Sequence, residues 1–378
     1  MSKYKIKDLA VEISQRIDNP KTSGYDKFVG LEHYDSGEVM ISRYGKTDNL
    51  DSSVKLFQKG DILIARRNVY LRRAGLVDFD GVTSGDSIVV RANDEIIQRL
   101  LPFVFNTKEF WDFANQFADG SMSKRLSPKL LMDYETELPD TNDDRTKLAD
   151  LLWSVFDTMT SYKELIKQSD ELVKSRFIEM FDLDALPKKR LDEICKVFAD
   201  GDWIESKDQS QKGIWLVQTG NVGEGNFKPK SDKKHYVSED TFERLNCTEI
   251  FEGDILISRL PDPVGRACLL PKLEERCITA VDCTIIRLKD YIDSRYFVTF
   301  AGLNEYYSQL EITGSTRQRV SRKNLGKVMV PVAPIEEQKE FRKFCEQIDK
   351  SKFILQESFS KLEMFYKKIM NQYLKKED

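Results

Sequence analysis

The chain has 378 residues, a formal charge of −4 at pH 7, 40% hydrophobic and 32% charged residues, a profile that fits roughly two to three globular domains with no overall field for a polyanion. No stretch approaches the ~18 uninterrupted apolar residues of a membrane span, and "MSKYKIKDLA" lacks the apolar run of a signal peptide, so a cytoplasmic protein without membrane contact is expected. Six cysteines without a C-x-x-C pair, and only His33 and His235 beside them, leave little to hold zinc and read as scattered reduced core thiols.

The first element is a short amphipathic segment, "YKIKDLAVEIS" at 4–14. An apolar strand entering a glycine-containing turn follows, "FVGLEHYDSGEV" at 28–39, and then a turn and strand, "KGDILIARR" at 59–67. In "AGLVDFDGVTSGDSIVVRA" at 74–92, Thr83 stands three positions before Asp86, just ahead of a β-branched run that reads as a strand. "GSMSKRLSPKLL" at 120–131 closes this half. From Leu148 the series Leu148, Leu152, Val155, Met159, Tyr162, Ile166, Ser169, Val173 steps alternately by 4 and 3, the heptad seam of a coiled coil. Residues 144–181 contain neither Pro nor Gly, which permits one helix of about 55–60 Å.

The succession then repeats. "KKRLDEICKVFADG" at 188–201, "WLVQTGNVGEGNF" at 215–227, "EGDILISRL" at 252–260 and "GRACLLPKLEERCITAVDCTIIRL" at 265–288 match the first half in order, with Thr279 and Asp282 in the places of Thr83 and Asp86. Gly253 follows Gly60 by 253 − 60 = 193 residues, and "GSTRQRVSRKNL" at 314–325 follows its counterpart by 314 − 120 = 194. Solenoid units run about 20–50 residues, so this period means two tandem copies of one domain. A second helical stripe closes the chain: Phe341, Phe344, Ile348, then Leu355, Phe359, Leu362, Tyr366, Ile369, Tyr373. The expected architecture is α+β: the two domain copies at 1–142 and 183–333, and long helices at 143–182 and 334–378 that pair antiparallel as a spacer.

Catalytic signatures are absent: there is no phosphate loop, no strand followed by G-x-G-x-x-G and no G-x-S-x-G elbow. "GNVGEGNF" at 220–227 has the spacing of a turn between strands, and "SRLPDPVGR" at 258–266 lacks the Asn/Asp-Pro-Pro-aromatic run that grips a target amine. The pattern suits binding. Basic residues cluster at matching places: Arg66, Arg67, Arg72, Arg73, Lys124, Arg125 and Lys129 in the first copy, Arg259, Arg266, Arg317, Arg319, Arg322 and Lys323 in the second. Asn68, Ser121, Ser123, Ser258, Ser315, Thr316 and Gln318 are interleaved with them. Arginine forks with short hydroxyl and amide groups match phosphate oxygens and base edges, so these residues are the candidates for a DNA-binding face.

At this point the chain resembles the specificity subunits of type I restriction-modification systems. The marks are the doubled "GDILIxR", the doubled "GSxxxR" at Gly120–Arg125 and Gly314–Arg319, "P-x-x-P-I-E-E-Q-K" at 331–339 and "ELVKSRFIEMF" at 171–181. The resemblance implies a non-catalytic subunit whose two target recognition domains each read half of a bipartite, asymmetric site in double-stranded DNA. It implies that the helices dock two methyltransferase subunits, which bring S-adenosylmethionine and methylate adenine N6; translocating restriction subunits using ATP and Mg would add cleavage. Half-site centres about one helical turn apart, roughly 34 Å, fit such a spacer. "TELPDTNDDRTKL" at 136–148 departs from the pattern, keeping only Pro139 and the acidic Asp143 and Asp144 at the start of the central helix. Two other readings stay open: a nuclease with carboxylates around Asp86 and Asp282, and a coiled-coil adaptor without DNA contact.

Overall fold

The doubled G-D-I-L-I stretch folds the same way twice in the computed structural model, which describes residues 1–48, 50–120, 124–229 and 234–374. Gly60 and Gly253 sit at φ 91° and 87°, a left-handed turn that a side chain would strain. The next aspartate folds back on that turn: Asp61 accepts from the Gln58 N–H at 2.8 Å and Asp254 from the Phe251 N–H at 2.9 Å. An arginine on the neighbouring strand then grips each carboxylate with both ends of its fork, Arg91 on Asp61 at 2.7 and 2.8 Å, Arg287 on Asp254 at 2.7 and 2.9 Å. Asp61 is only 1% exposed, and a bidentate partner is what makes such burial tolerable.

The apolar run after each turn becomes an inner strand. In the first copy the sheet order is Ala10–Ile13, Ser87–Ala92, Ile62–Ala65, Ala74–Leu76; in the second it is Cys195–Asp200, Cys283–Leu288, Ile255–Ser258, Ala267–Leu269, antiparallel throughout. A second sheet in each copy is built on a parallel pair, Lys27–Val29 with Gly81–Thr83 and Ile214–Val217 with Cys277–Thr279. The repeated threonine ties that pair together: Thr83 Oγ1 donates to the Val29 carbonyl at 2.7 Å, Thr279 Oγ1 to that of Val217 at 3.0 Å. The copies diverge at the rim. The fifth strand of this sheet, Arg16–Ile17, adds beside Val54–Phe57 in the first copy, whereas Gln209–Ser210 adds beside His235–Val237, on the other edge, in the second.

The long helices run over Asn142–Met180 and Ile335–Tyr373. The central one starts without the proline motif: Thr141 Oγ1 accepts from the Asp144 N–H at 3.1 Å, and Arg145 donates to the Pro139 carbonyl at 2.7 Å. At the last helix the equivalent anchoring falls to Gln338, fully buried, which donates to the carbonyls of Ala333 and Tyr291 and accepts from the Asp293 N–H.

Packing groups the chain into two units, Met1–Lys163 with Glu357–Asp378, and Glu164–Gln356. In the first, Leu148, Leu152 and Val155 are buried with Ile369, Met370 and Leu374 in one core with sheet residues Ile62, Ile64, Ile88 and Val90; Met159 and Leu362 pack half-buried against it. In the second, Phe177 and Phe181 close around Phe341 and Tyr296, with Phe344 and Ile348 at the edge. Pairing is antiparallel in each: Lys163 lies over the Phe359 ring in the first unit, while Phe177 meets Phe341 and Asp170 meets Lys352 in the second. Tyr162, Ile166 and Leu355 are half-buried along the same stripe. All six cysteines are free and buried, and burial pushes the thiols of Cys195, Cys268 and Cys277 up to about 12.

Candidate nucleic-acid interface

The strands Ile62–Ala65 and Ile255–Ser258 each run into an arginine held by its backbone. The Arg66 N–H donates to the Asp86 carbonyl at 2.9 Å, and its own carbonyl accepts from the Leu126 N–H at 2.8 Å. In the second unit Arg259 makes the same two bonds, to the Asp282 carbonyl at 2.9 Å and from the Val320 N–H at 3.2 Å. The aspartate side chain then faces arginines from the adjoining segments: Arg67 at 3.4 Å and Arg125 at 3.7 Å from Asp86, Arg317 at 3.6 Å from Asp282. A short helix follows each node, capped by serine: Ser127 Oγ accepts from the Leu130 N–H and Ser321 Oγ from the Asn324 N–H, both at 3.2 Å. One frame is thus built twice: strand end, aspartate, basic loop.

A paired turn crosses this frame in both units, and its side chains differ: in the first, Asp119 and Arg125 exchange backbone hydrogen bonds at 3.0 and 2.8 Å around a turn that begins at Gly120, φ 100°. In the second unit Ile312–Thr313 and Arg319–Val320 pair as a hairpin whose turn begins at Gly314, φ 95°. It projects Ser315, Thr316, Arg317, Gln318 and Arg319, all exposed, with the Arg317 side chain 72% exposed. Arg322 and Lys323 lie exposed just beyond. With Arg190, Arg259 and Lys327 they line a cleft of about 610 Å³ in which Asp192 and Asp200 are the acidic residues. Asp200 lies 3.5 Å from Arg259 and 3.8 Å from Arg322. In the first unit Arg72 and Arg125 are exposed, Arg67 and Asn68 half-buried, and the Lys124 ammonium is turned onto the Asn115 carbonyl. Burial lowers the pKa of Lys55, and the charge of Arg66 adds to the effect against the opposing pull of Glu12. Ser121 and Ser123 lie outside the described residues.

Three sequence candidates are structural. Arg266 is 6% exposed and donates to four carbonyls: Val222 at 2.6 Å, Thr219 at 2.7 Å, Leu260 at 2.8 Å and Pro263 at 3.0 Å. Its counterpart Arg73 donates to Leu31 at 2.9 Å and to Arg67 at 3.2 Å. These guanidiniums bind loop to sheet, so Arg266 and Arg73 are removed from the base-reading set. Ser258, fully buried, caps a turn by donating to the Leu260 carbonyl at 3.1 Å. Conversely, sequence reasoning passed over two exposed aromatics, Tyr70 at 62% and Trp203 at 71%. Tyr70 stands inside "RRNVYLRR", between the arginines that drew attention; Trp203 follows the strand Cys195–Asp200 with no signal in its sequence neighbours.

Asp86 and Asp282 face arginines, and among the described residues no group of three or more His, Cys, Asp or Glu side chains is placed to hold a metal ion. No described helix is long and apolar enough to cross a membrane.

Residues 186–363 match the family model described as type I restriction modification DNA specificity domain. The whole chain is similar to a solved structure of the study "Structural basis underlying complex assembly and conformational transition of the type I R-M system", at 19% identity, covering 98% of this chain and 97% of that one, with a TM-score of 0.53. It is also similar to the type I restriction-modification S subunit from M. genitalium, at 14% identity, 100% and 96% coverage and a TM-score of 0.54. Both likenesses extend the fold over the first unit as well as the second.

Proposed function

We propose that this chain is a type I restriction-modification specificity protein and reads a bipartite, asymmetric DNA site for partner subunits that methylate adenine N6, a reading supported by the domain at residues 186–363 and by the fold along its length. The observation that carries the reading is the doubled frame: one strand-end arginine and one aspartate, in the same backbone bonds, each crossed by loops of different sequence. A shared frame gives both units the same approach to a duplex, while unlike side chains at the loops give different half-sites. Arg72 and Arg125 in the first unit, and Arg317, Gln318, Arg319, Arg322 and Lys323 in the second, are the exposed groups that would meet phosphates and base edges.

Docking of two methyltransferase subunits is assigned to the long helices. Outside the seam they expose Leu151, Met364 and Phe365 in the first unit and Leu165, Leu172, Phe353 and Ile354 in the second, apolar side chains that a docked partner would cover. Those partners would bring S-adenosylmethionine, and translocating subunits, where present, ATP and Mg; the chain itself supplies recognition.

Adenine methylation across the host genome, with and without this gene, tests the reading. Loss of one gapped, two-part motif on deletion is expected. An unchanged methylome, with the partner methyltransferase expressed, would sink it.

A further inference from the structure

We infer that Tyr70 and Leu71 form a preorganised wedge that enters the duplex at the half-site read by the first unit and stacks on the bases there; this rests on the DNA-reading function proposed above. The starting observation is a strained turn. Asn68 and Arg72 lie at φ 55° and 50°, a left-handed conformation that asparagine tolerates and arginine resists, and they bracket the single turn Val69–Leu71. Strain of this kind persists only where the surroundings enforce it.

Here they enforce it at both ends. The Asn68 N–H donates to the Lys124 carbonyl at 3.0 Å, and the Arg72 carbonyl accepts from the Gly37 N–H at 3.1 Å. Within the turn Leu71 N–H reaches the Asn68 carbonyl at 2.9 Å and Arg72 N–H that of Val69 at 3.0 Å. Val69 is sunk in the core, and the Arg73 guanidinium braces the base of the turn through Leu31 and Arg67. What this clamp displays is Tyr70, 62% exposed, and Leu71, 37% exposed.

Folding gains nothing from an aromatic and an aliphatic tip left in water, so the strain serves the display. Arg72 adjoins the tip in the chain and is exposed; Arg67, just before the turn, is bridged through its backbone to the exposed Arg125, and both guanidiniums face Asp86. A cationic rim around an apolar, aromatic tip is the chemistry of side chains that hold phosphates while inserting against or between bases. The segment after the equivalent strand of the second unit buries Leu260 and Val264 and exposes Asp262, so the wedge belongs to one half-site.

The test compares wild type with Tyr70→Ala, Tyr70→Phe and Leu71→Ala, each expressed with the partner methyltransferase. The methylome is expected to show a lower methylated fraction and relaxed base preference in one half of the motif for Tyr70→Ala, the other half unchanged, with Tyr70→Phe close to wild type. On a duplex bearing the wild-type motif, the purified Tyr70→Ala complex should bind roughly 5- to 150-fold more weakly. 2-Aminopurine placed in that half should brighten with wild type and stay dim with Tyr70→Ala. An unchanged melting midpoint shows that the variant is folded. Unchanged motif and affinity in both alanine variants, or loss of the methyltransferase from the Tyr70→Ala complex, overturns the wedge. A methylome with no motif dependent on the wild-type gene overturns the DNA-reading function instead, and the wedge only with it.

Discussion

Replacing Arg266 by alanine removes a guanidinium that satisfies four carbonyls in a place where water has little access. The expected cost is about 3 kcal/mol, read as a fall in the denaturant midpoint of the purified complex. Arg317→Ala should leave stability within about 0.5 kcal/mol, because its side chain is 72% exposed. Its effect should appear in DNA binding, where a lost phosphate contact reduces the slope of log affinity against log salt by about 0.9. The reverse pattern, an unstable Arg317→Ala and a stable Arg266→Ala with weakened DNA binding, would contradict the placement of both. The pair also explains what sequence could and could not tell. Recurrence drew Arg73 and Arg266 into the candidate set, yet recurrence selects what two related domains share, which is their scaffold. Readers of two different half-sites are under no such constraint. Tyr70 has no counterpart in the second copy and so does not show in a repeat comparison, whereas the exposed turn at Gly314 shows through the doubled GSxxxR stretch.

The long helices show the same division at the scale of elements. Leu148, Leu152, Val155 and Val173 were legible as a buried stripe because a helix must put every third or fourth residue on one face, and they are buried. The start of the central helix was not, because Thr141 and Arg145 perform with one hydroxyl and one guanidinium what Gln338 performs at the last helix. Nor does periodicity say what else a seam packs against: Leu152 shares a core with Ile64 and Val90 of the sheet, so the seam and the domain are one hydrophobic body. Leu152→Asp should therefore cost roughly 4 kcal/mol and loosen the first unit itself, not merely separate two helices. Leu172→Asp, on an exposed position, should leave the denaturant midpoint within about 0.5 kcal/mol while removing the methyltransferase in a pull-down. A Leu172→Asp chain that still recovers its partner in full would move the docking surface elsewhere.

Over the whole molecule, sequence order and packing order part company. The sequence divides into four consecutive segments, but each long helix gives its two halves to different units: Glu357–Asp378 packs with Met1–Lys163, almost the full chain length away. That closing segment supplies Ile369, Met370 and Leu374 to the first core, with Leu362 and Tyr366 against it and the Tyr366 ring 6.3 Å from Phe103. Ending the chain after Gln356 should then damage the unit that lies first in sequence and spare the one it terminates. The physical reason is exposure: Leu148, Leu152 and Val155 would face water where they now face apolar neighbours, a loss of several large buried side chains at about 1.5–3 kcal/mol each, while Phe177, Phe341 and Cys345 keep every partner within Glu164–Gln356. Limited proteolysis of the truncated chain is expected to degrade residues 1–163 and leave a protected fragment from 164–356. Protection of both regions alike, or earlier cleavage within 164–356, would mean that the last half-helix is an appendage, and that each unit holds its fold without it.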